Sequence, residues 1–180
     1  MMTRDDLKAF HALDIDFDSI GLEWGGEFVP YFCTPVGAEE VGSIGCDGIH
    51  FILLPGDEKV YCVDPSMADV GTYVLPVASD LREFLSFILS CHDANPLSQI
   101  YFLSEERFQE FSAEEAEARE SGDLDDHFKA KDAALAKIAE AFGVEPVEPY
   151  HKVKALQGAF NPGTLNFSDE YYDVLGIERE

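Results

Sequence analysis

Short runs of apolar residues, separated by glycine and proline turn signals, fill the chain between residues 41 and 77. The runs are 41–44, 49–54, 59–63 and 73–77. This spacing predicts the strands of an antiparallel meander, because glycine takes the positive φ values of tight turns and proline favours their corners. The run 49–54 is apolar at both odd and even positions, so we expect it to be a central strand that is buried on both faces.

A helical pattern follows the fourth run without a break. Apolar residues recur three and four positions apart at Leu81, Phe84, Leu85, Ile88 and Leu89. This is the spacing of one buried helix face. Asp80 precedes the pattern as a candidate N-cap, and Ser86 lies off the apolar face. We therefore expect a helix that begins after Asp80 and covers one face of the sheet.

The first forty residues give weaker signals. Residues 7–13 predict a short helix, and residues 27–33 predict a strand that Pro30 would confine to a sheet edge. Trp24, the single tryptophan, lies in a glycine-flanked segment between them. An aromatic residue in such a segment either anchors a corner of the core or contacts a partner, and the sequence leaves both roles open.

After Pro96 the pattern becomes mainly helical. Residues 97–103 predict one helix, and Ser104 is a candidate N-cap for the next. Residues 112–126 are strongly acidic and predict either a solvated helix face or a mobile connection. An apolar stripe that ends at Gly143 comprises Leu124, Phe128, Leu135, Ile138 and Phe142. The last 40 residues are too apolar for a disordered tail, so we expect them to pack on the domain or on a partner.

Together these elements predict a single α+β domain that spans residues 1–180. An antiparallel sheet of about four to six strands is expected in the N-terminal half, packed by helices within a sheet-rich core at about residues 20–92. A mainly helical extension is expected at about residues 95–180. A chain of 180 residues with 46% hydrophobic composition is large enough for one well-buried core.

Two short motifs resemble a known family. They are the turn Gly45-Cys46-Asp47-Gly48 and the strand-to-helix passage Val-Leu-Pro-Val-Ala-Ser-Asp-Leu-Arg-Glu-Phe-Leu from Val74 to Leu85. With the layout of about residues 20–92, they are similar to the SMI1/KNR4 (SUKH) superfamily. Its bacterial members are largely immunity proteins, which bind and neutralise polymorphic toxins. The resemblance therefore implies an α+β domain that binds another protein.

The charge of the chain narrows its range of partners. The formal net charge is −24 at pH 7. A surface with this charge repels nucleic acid and anionic membranes and attracts basic proteins. The sequence leaves open whether the charge serves a basic partner or is a general solubility trait.

Residue types suited to catalysis or metal binding are scattered along the chain. The cysteines, at 33, 46, 62 and 91, show no Cys-x-x-Cys spacing, which predicts reduced thiols and no zinc site. We expect His50, inside an apolar strand, to be a hydrogen-bonded core residue. No nucleophile, phosphate loop or carboxylate pair stands in a specific motif. The sequence thus predicts no catalytic residue, no metal and no cofactor.

The N-terminal residues are acidic where a secretory signal would carry positive charge, and no apolar run reaches the roughly 20 residues of a membrane-spanning helix. These features predict a soluble, cytoplasmic protein.

The leading hypothesis is a non-enzymatic acidic binding protein, most concretely an immunity protein that occludes a basic cognate toxin such as a nuclease. The alternatives are a regulatory or scaffolding module for a basic cellular protein and, more distantly, a small enzyme with a site assembled from scattered residues. The candidate contact residues are Trp24, Asp47, Asp57 and Glu58, three of them in turns of the predicted sheet. The oligomeric state is left open.

Overall fold

A computed structural model describes residues 2–67 and 72–179 of the chain. The strands are β1 (Glu39–Ser43), β2 (His50–Leu53), β3 (Val60–Val63) and β4 (Val74–Ala78). The helices are α1 (Met2–His11), α2 (Leu81–Cys91), α3 (Asn95–Gln99), α4 (Glu105–Ser121), α5 (Asp125–Phe142), α6 (Tyr150–Ala159) and α7 (Asp169–Leu175). The strands lie in the N-terminal half and most helices in the C-terminal half, so the predicted α+β class is confirmed.

The four strands form one antiparallel sheet in the order β1-β2-β3-β4. β2 and β3 pair without a register shift and are joined by the turn of residues 54–59. β1 pairs with β2 through a β-bulge between Glu40 and Gly42. The predicted meander is therefore correct, and its strand number is at the lower end of the predicted range.

Both faces of the sheet are covered, because successive side chains of a strand point to opposite sides. On one face, the ring of Phe51 lies 4.9 Å from the ring of Phe84 on α2, within the larger of two buried clusters. On the other face, Ile52 and Tyr61 pack with Phe167 from the C-terminal region. β2 is thus the central, doubly buried strand that the sequence predicts, and the last 40 residues pack on the domain.

The helix after the fourth strand begins as predicted. The carboxylate of Asp80 accepts a hydrogen bond from the backbone N–H of Glu83 at 2.8 Å, which satisfies a donor that the first helical turn leaves free. The placement of Ser86 outside the buried face is wrong, since Ser86 is 8% exposed. The chain after α5 crosses the helix there, and the N–H of Val147 donates to the Ser86 carbonyl at 3.2 Å.

The strand predicted at residues 27–33 does not form, and this segment is irregular. The outer edge of β1 is already occupied by other groups. Glu23 exchanges two backbone hydrogen bonds with Ser43, at 2.7 and 3.0 Å. His11 of α1 donates through Nε2 to the carbonyl of Val41 at 2.9 Å. Because these backbone groups of β1 are already hydrogen-bonded, residues 24–36 do not pair with the sheet and form a long irregular loop.

The C-terminal helices largely follow the predicted pattern. The Ser104 hydroxyl accepts a backbone N–H of the first α4 turn at 3.3 Å, and the acidic residues 112–121 continue the same helix. α5 ends before Gly143, whose φ of 60° is the left-handed conformation common at helix C-termini. Leu124 lies outside α5 and is 51% exposed, so its place in the apolar stripe is wrong. α3 is also shorter than the predicted helix at 97–103.

Candidate functional site

The irregular loop and the edge strand enclose a cleft of about 390 Å³, next to a smaller hollow of about 300 Å³. Four acidic residues and several aromatic rings line the two. We call the combined feature the acidic cleft and define it by Glu23, Trp24, Glu27, Tyr31, Glu40 and Asp47. It is a surface feature built from β1, the β1–β2 turn and the loop of residues 24–36.

The two glycines of the β1–β2 turn allow the loop to close over it. Gly45 and Gly48 have φ values of 75° and 71°. A Cβ atom on Gly48 would lie 2.5 Å from Cζ of Tyr31, and one on Gly45 would collide with the Glu23 carboxylate. Both positions favour glycine for the left-handed backbone, and a Cβ atom at either one would displace a cleft side chain. The predicted turn motif thus shapes one wall of the cleft.

His50 lies under the Tyr31 ring and is 3% exposed. Its Nδ1 donates to the carbonyl of Gly48 at 2.7 Å, so the neutral ring accepts at Nε2 from the hydroxyl of Thr34 at 3.2 Å. Burial lowers the pKa of His50, which favours this neutral form. The prediction of a hydrogen-bonded core histidine is confirmed. In turn, the Thr34 hydroxyl accepts the Tyr31 N–H at 2.9 Å and holds the loop in place.

A second set of contacts, on the same face of the sheet as His50, also anchors the loop. The Phe32 ring lies 5.3 Å from the ring of Tyr73 and 6.5 Å from that of Tyr171 on α7. The N–H of Val36 donates to the carbonyl of Asn166 at 2.8 Å. The wall of the cleft therefore rests on the C-terminal region of the chain.

Trp24 stacks on His11, with the ring centroids 3.3 Å apart and the planes at 6°. The tryptophan remains 40% exposed. One ring face is thus held by α1 while other parts of the side chain are open to the cleft. Both roles considered for Trp24, as an anchor and as a contact residue, are compatible with this position.

No lysine or arginine lines the acidic cleft. Throughout the described residues, every lysine and arginine except Lys8 and Lys154 has a carboxylate within 4.0 Å, and none of these carboxylates belongs to the cleft. Most cations of the chain are therefore paired away from the cleft. Glu23, Glu27 and Asp47 are exposed without a cationic partner, which leaves the cleft with an unbalanced negative charge.

Glu40 is the most confined of the cleft carboxylates. It is half-buried, and its side chain has no hydrogen bond or ion pair among the residues that the structure describes. Burial raises its pKa. A buried charge is costly unless it is paired, so ionisation of Glu40 costs more than ionisation of a fully solvated glutamate.

Glu115 shows the opposite situation in a charge network between α4 and α5. It accepts from Lys131 at 3.1 Å, from Arg119 at 2.9 Å and from His92 at 2.9 Å. Lys131 is only 4% exposed. Burial by itself would raise the pKa of Glu115, but the hydrogen bonds from Arg119, Lys131 and His92 outweigh it and lower the pKa. This network stabilises the fold and is fully paired, unlike the cleft.

The four predicted contact residues fall into two groups. Trp24 and Asp47 lie in the acidic cleft. Asp57 and Glu58 lie in the turn at the other end of β2, where they make intramolecular bonds. Asp57 accepts hydrogen bonds from the Tyr61 hydroxyl at 2.8 Å and from the backbone N–H of Lys59 at 2.9 Å. Glu58 accepts a hydrogen bond from a backbone N–H of α1 at 3.0 Å.

Sequence reasoning missed Glu23, Glu27, Tyr31 and Glu40 as members of one site. The cleft joins residues as distant in sequence as Glu23 and Asp47, because Glu23 reaches the turn through its pairing with Ser43. A local signal did exist in the loop, where two glycines precede a stretch that combines one acid with three aromatic residues. Because the sequence pattern predicts a strand here, it does not indicate that this stretch is a loop lining a cleft.

In the described ranges, no group of three or more His, Cys, Asp or Glu side chains is arranged to hold a metal ion. No helix of those ranges is long and apolar enough to cross a membrane. No protein-family model, curated protein or solved structure matches the chain. The resemblance to the SMI1/KNR4 superfamily therefore stays a prediction, and function has to be argued from the cleft itself.

Proposed function

We propose that this protein is a non-enzymatic binding protein whose acidic cleft docks a basic protein partner. The observation that carries the proposal is the lining of the cleft, where four carboxylates face the solvent-filled space without a single lysine or arginine. Exposed aromatic residues at the same place, Trp24 at 40% and Tyr31 at 47%, are the residue types that dominate the energy of protein interfaces.

The most concrete form of this proposal is an immunity protein that covers the active site of a toxin. A nuclease binds its phosphate substrate through lysine and arginine, and a chain of charge −24 is attracted to such a surface. Complementary charge raises the association rate, while buried aromatic contacts slow dissociation. Inhibition would follow from occlusion, which requires no catalytic group on the inhibitor. We further propose that the protein acts in the cytoplasm, where a toxin that reaches nucleic acid would be met.

The test begins with a photo-crosslinking amino acid at position 31 in the loop, and with a control at Phe102, an aromatic residue between α3 and α4 that is 53% exposed. A basic protein crosslinked from position 31 and absent from the control is the candidate partner. Growth arrest by that partner, relieved by this protein, supports the immunity function. A harmless partner supports a regulatory or scaffolding module instead.

Two charge reversals then locate the binding surface. One variant is Glu27→Lys in the cleft, and the other is Glu117→Lys on α4. Each replaces an exposed, unpaired glutamate and changes the net charge of the protein by the same two units. We expect Glu27→Lys to weaken partner binding at least about tenfold, mainly through the association rate, and Glu117→Lys to have a much smaller effect. Equal effects of the two variants would contradict docking at the cleft.

A further inference from the structure

Glu40 is unusual among the carboxylates of the described chain. Burial raises the pKa of Glu40 and no hydrogen bond offsets it, whereas burial of Glu83 and Glu115 is outweighed by hydrogen bonds to cations. Glu40 sits at the β1 bulge and lines both parts of the cleft. The fold thus keeps a partly desolvated carboxylate in a recess without the cation that its counterparts have. A cation supplied by a partner would remove this cost.

Aromatic rings surround the recess. Tyr31 and Phe28 line the same part of the cleft as Glu40, and their rings lie 5.8 and 5.7 Å from the ring of His50 beneath them. These contacts hold the aromatic wall in one orientation. A carboxylate that shares a recess with aromatic rings favours a cation that can pair and stack at the same time.

On this basis, and resting on the proposed binding function, we infer that the cleft takes an arginine side chain of the basic partner, with its guanidinium paired to Glu40 and stacked against Tyr31. Arginine suits this recess better than lysine for two physical reasons. The guanidinium is planar, so it can lie on a ring and still donate in its plane to a carboxylate. It is also less strongly hydrated than an ammonium group, so its burial costs less.

The probes for the test are the blocked tripeptides acetyl-Gly-Arg-Gly-amide, acetyl-Gly-Lys-Gly-amide and the citrulline analogue, which keeps the shape of arginine without its charge. Binding to the protein is measured by titration of amide NMR signals at low ionic strength. We expect the arginine peptide to shift signals around Glu40 and Gly48, and to bind about fivefold more tightly than the lysine peptide. The citrulline peptide should not bind measurably.

Three variants assign the interaction. Glu40→Gln keeps the shape of the side chain and should weaken the arginine peptide about tenfold, as expected for the loss of one charge-assisted pair. Tyr31→Leu should reduce the preference for arginine over lysine. Glu117→Gln, which removes the same charge from α4, should leave both peptides unaffected. The circular dichroism spectrum and melting temperature of each variant check that the fold is intact.

Equal binding of the arginine and lysine peptides, or equal effects of Glu40→Gln and Glu117→Gln, would overturn the arginine inference. This failure is separate from failure of the proposed function. If Glu27→Lys still weakens binding of the whole partner much more than Glu117→Lys does, the cleft is the docking site and only its arginine specificity is wrong. If Glu27→Lys has no effect on the partner, the proposed function itself fails.

Discussion

Replacement of Gly48 by alanine tests how the β1–β2 turn shapes the cleft. Alanine at φ 71° enters the left-handed region, which costs about 1–2 kcal/mol for a residue with a Cβ atom. The new methyl group would also lie 2.5 Å from Cζ of Tyr31, so the ring must move. Tyr31 is 47% exposed, and it can therefore swing outward without disrupting the core.

The cost of moving the ring is the loss of its stacking contact with His50, about 1 kcal/mol for an aromatic pair. Gly56 provides a matched control, because its φ is 74° and an added Cβ atom would meet nothing within 4 Å. We expect Gly56→Ala to destabilise the protein by about 1–2 kcal/mol and Gly48→Ala by about 2–3 kcal/mol. The melting temperatures should fall by roughly 3–6 °C and 6–9 °C.

Urea denaturation followed by circular dichroism measures both free energies. In a Tyr31→Ala background the difference between the two glycine variants should disappear, because the colliding ring is absent. The arginine peptide gives a second readout, since Gly48→Ala should lose the preference for arginine and Gly56→Ala should keep it. A difference that persists in the Tyr31→Ala background would refute the idea that the ring rests on Gly48.

Four other outcomes are expected. Glu40→Gln should raise the melting temperature at pH 7, because it removes an unpaired, half-buried charge. The gain should vanish as the pH falls through the raised pKa of Glu40 towards 4.5, because the Glu40 side chain of the wild-type protein then becomes neutral too. Glu115→Gln should lower the melting temperature at pH 7, and this loss should vanish as the pH falls from 4.5 through the lowered pKa of Glu115. With a thiol reagent, the exposed Cys46 should react quickly in the native state, while Cys33 and Cys62 should react only after denaturation, because burial raises their pKa values. Thermal melts of the free protein should shift upward between about 10 and 150 mM salt, since screening reduces self-repulsion.

The sequence predicts those parts of the fold that depend on local patterns. The hairpin of β2 and β3 and the helix after Asp80 carry turn and cap signals within a few residues of the elements that they define. Ser86 and the loop of residues 27–33 were misjudged because distant segments decide their environment. Val147 covers the serine, and α1 occupies the edge that a further strand would need.

The candidate site could be predicted only in part, for the same reason. Trp24 and Asp47 were found from their local context, as an aromatic residue between glycines and as an acid in a turn. The residues next to Glu40 in the sequence do not show that its carboxylate lacks a cationic partner, because that depends on the whole fold. Asp57 looks equally available in the sequence, yet Tyr61 and Lys59 bind it.

The anchoring of Phe32 by Tyr171 has a consequence for how such a protein can diversify. The cleft wall lies at one end of a chain of ring contacts, and α7 lies at the other, within the same buried cluster. Substitutions in α7 can thus retune the shape of the cleft while the residues that meet the partner stay the same. In a lineage that must follow a changing partner, we expect positions 32 and 171 to vary together, and new specificities to arise first in the C-terminal helix.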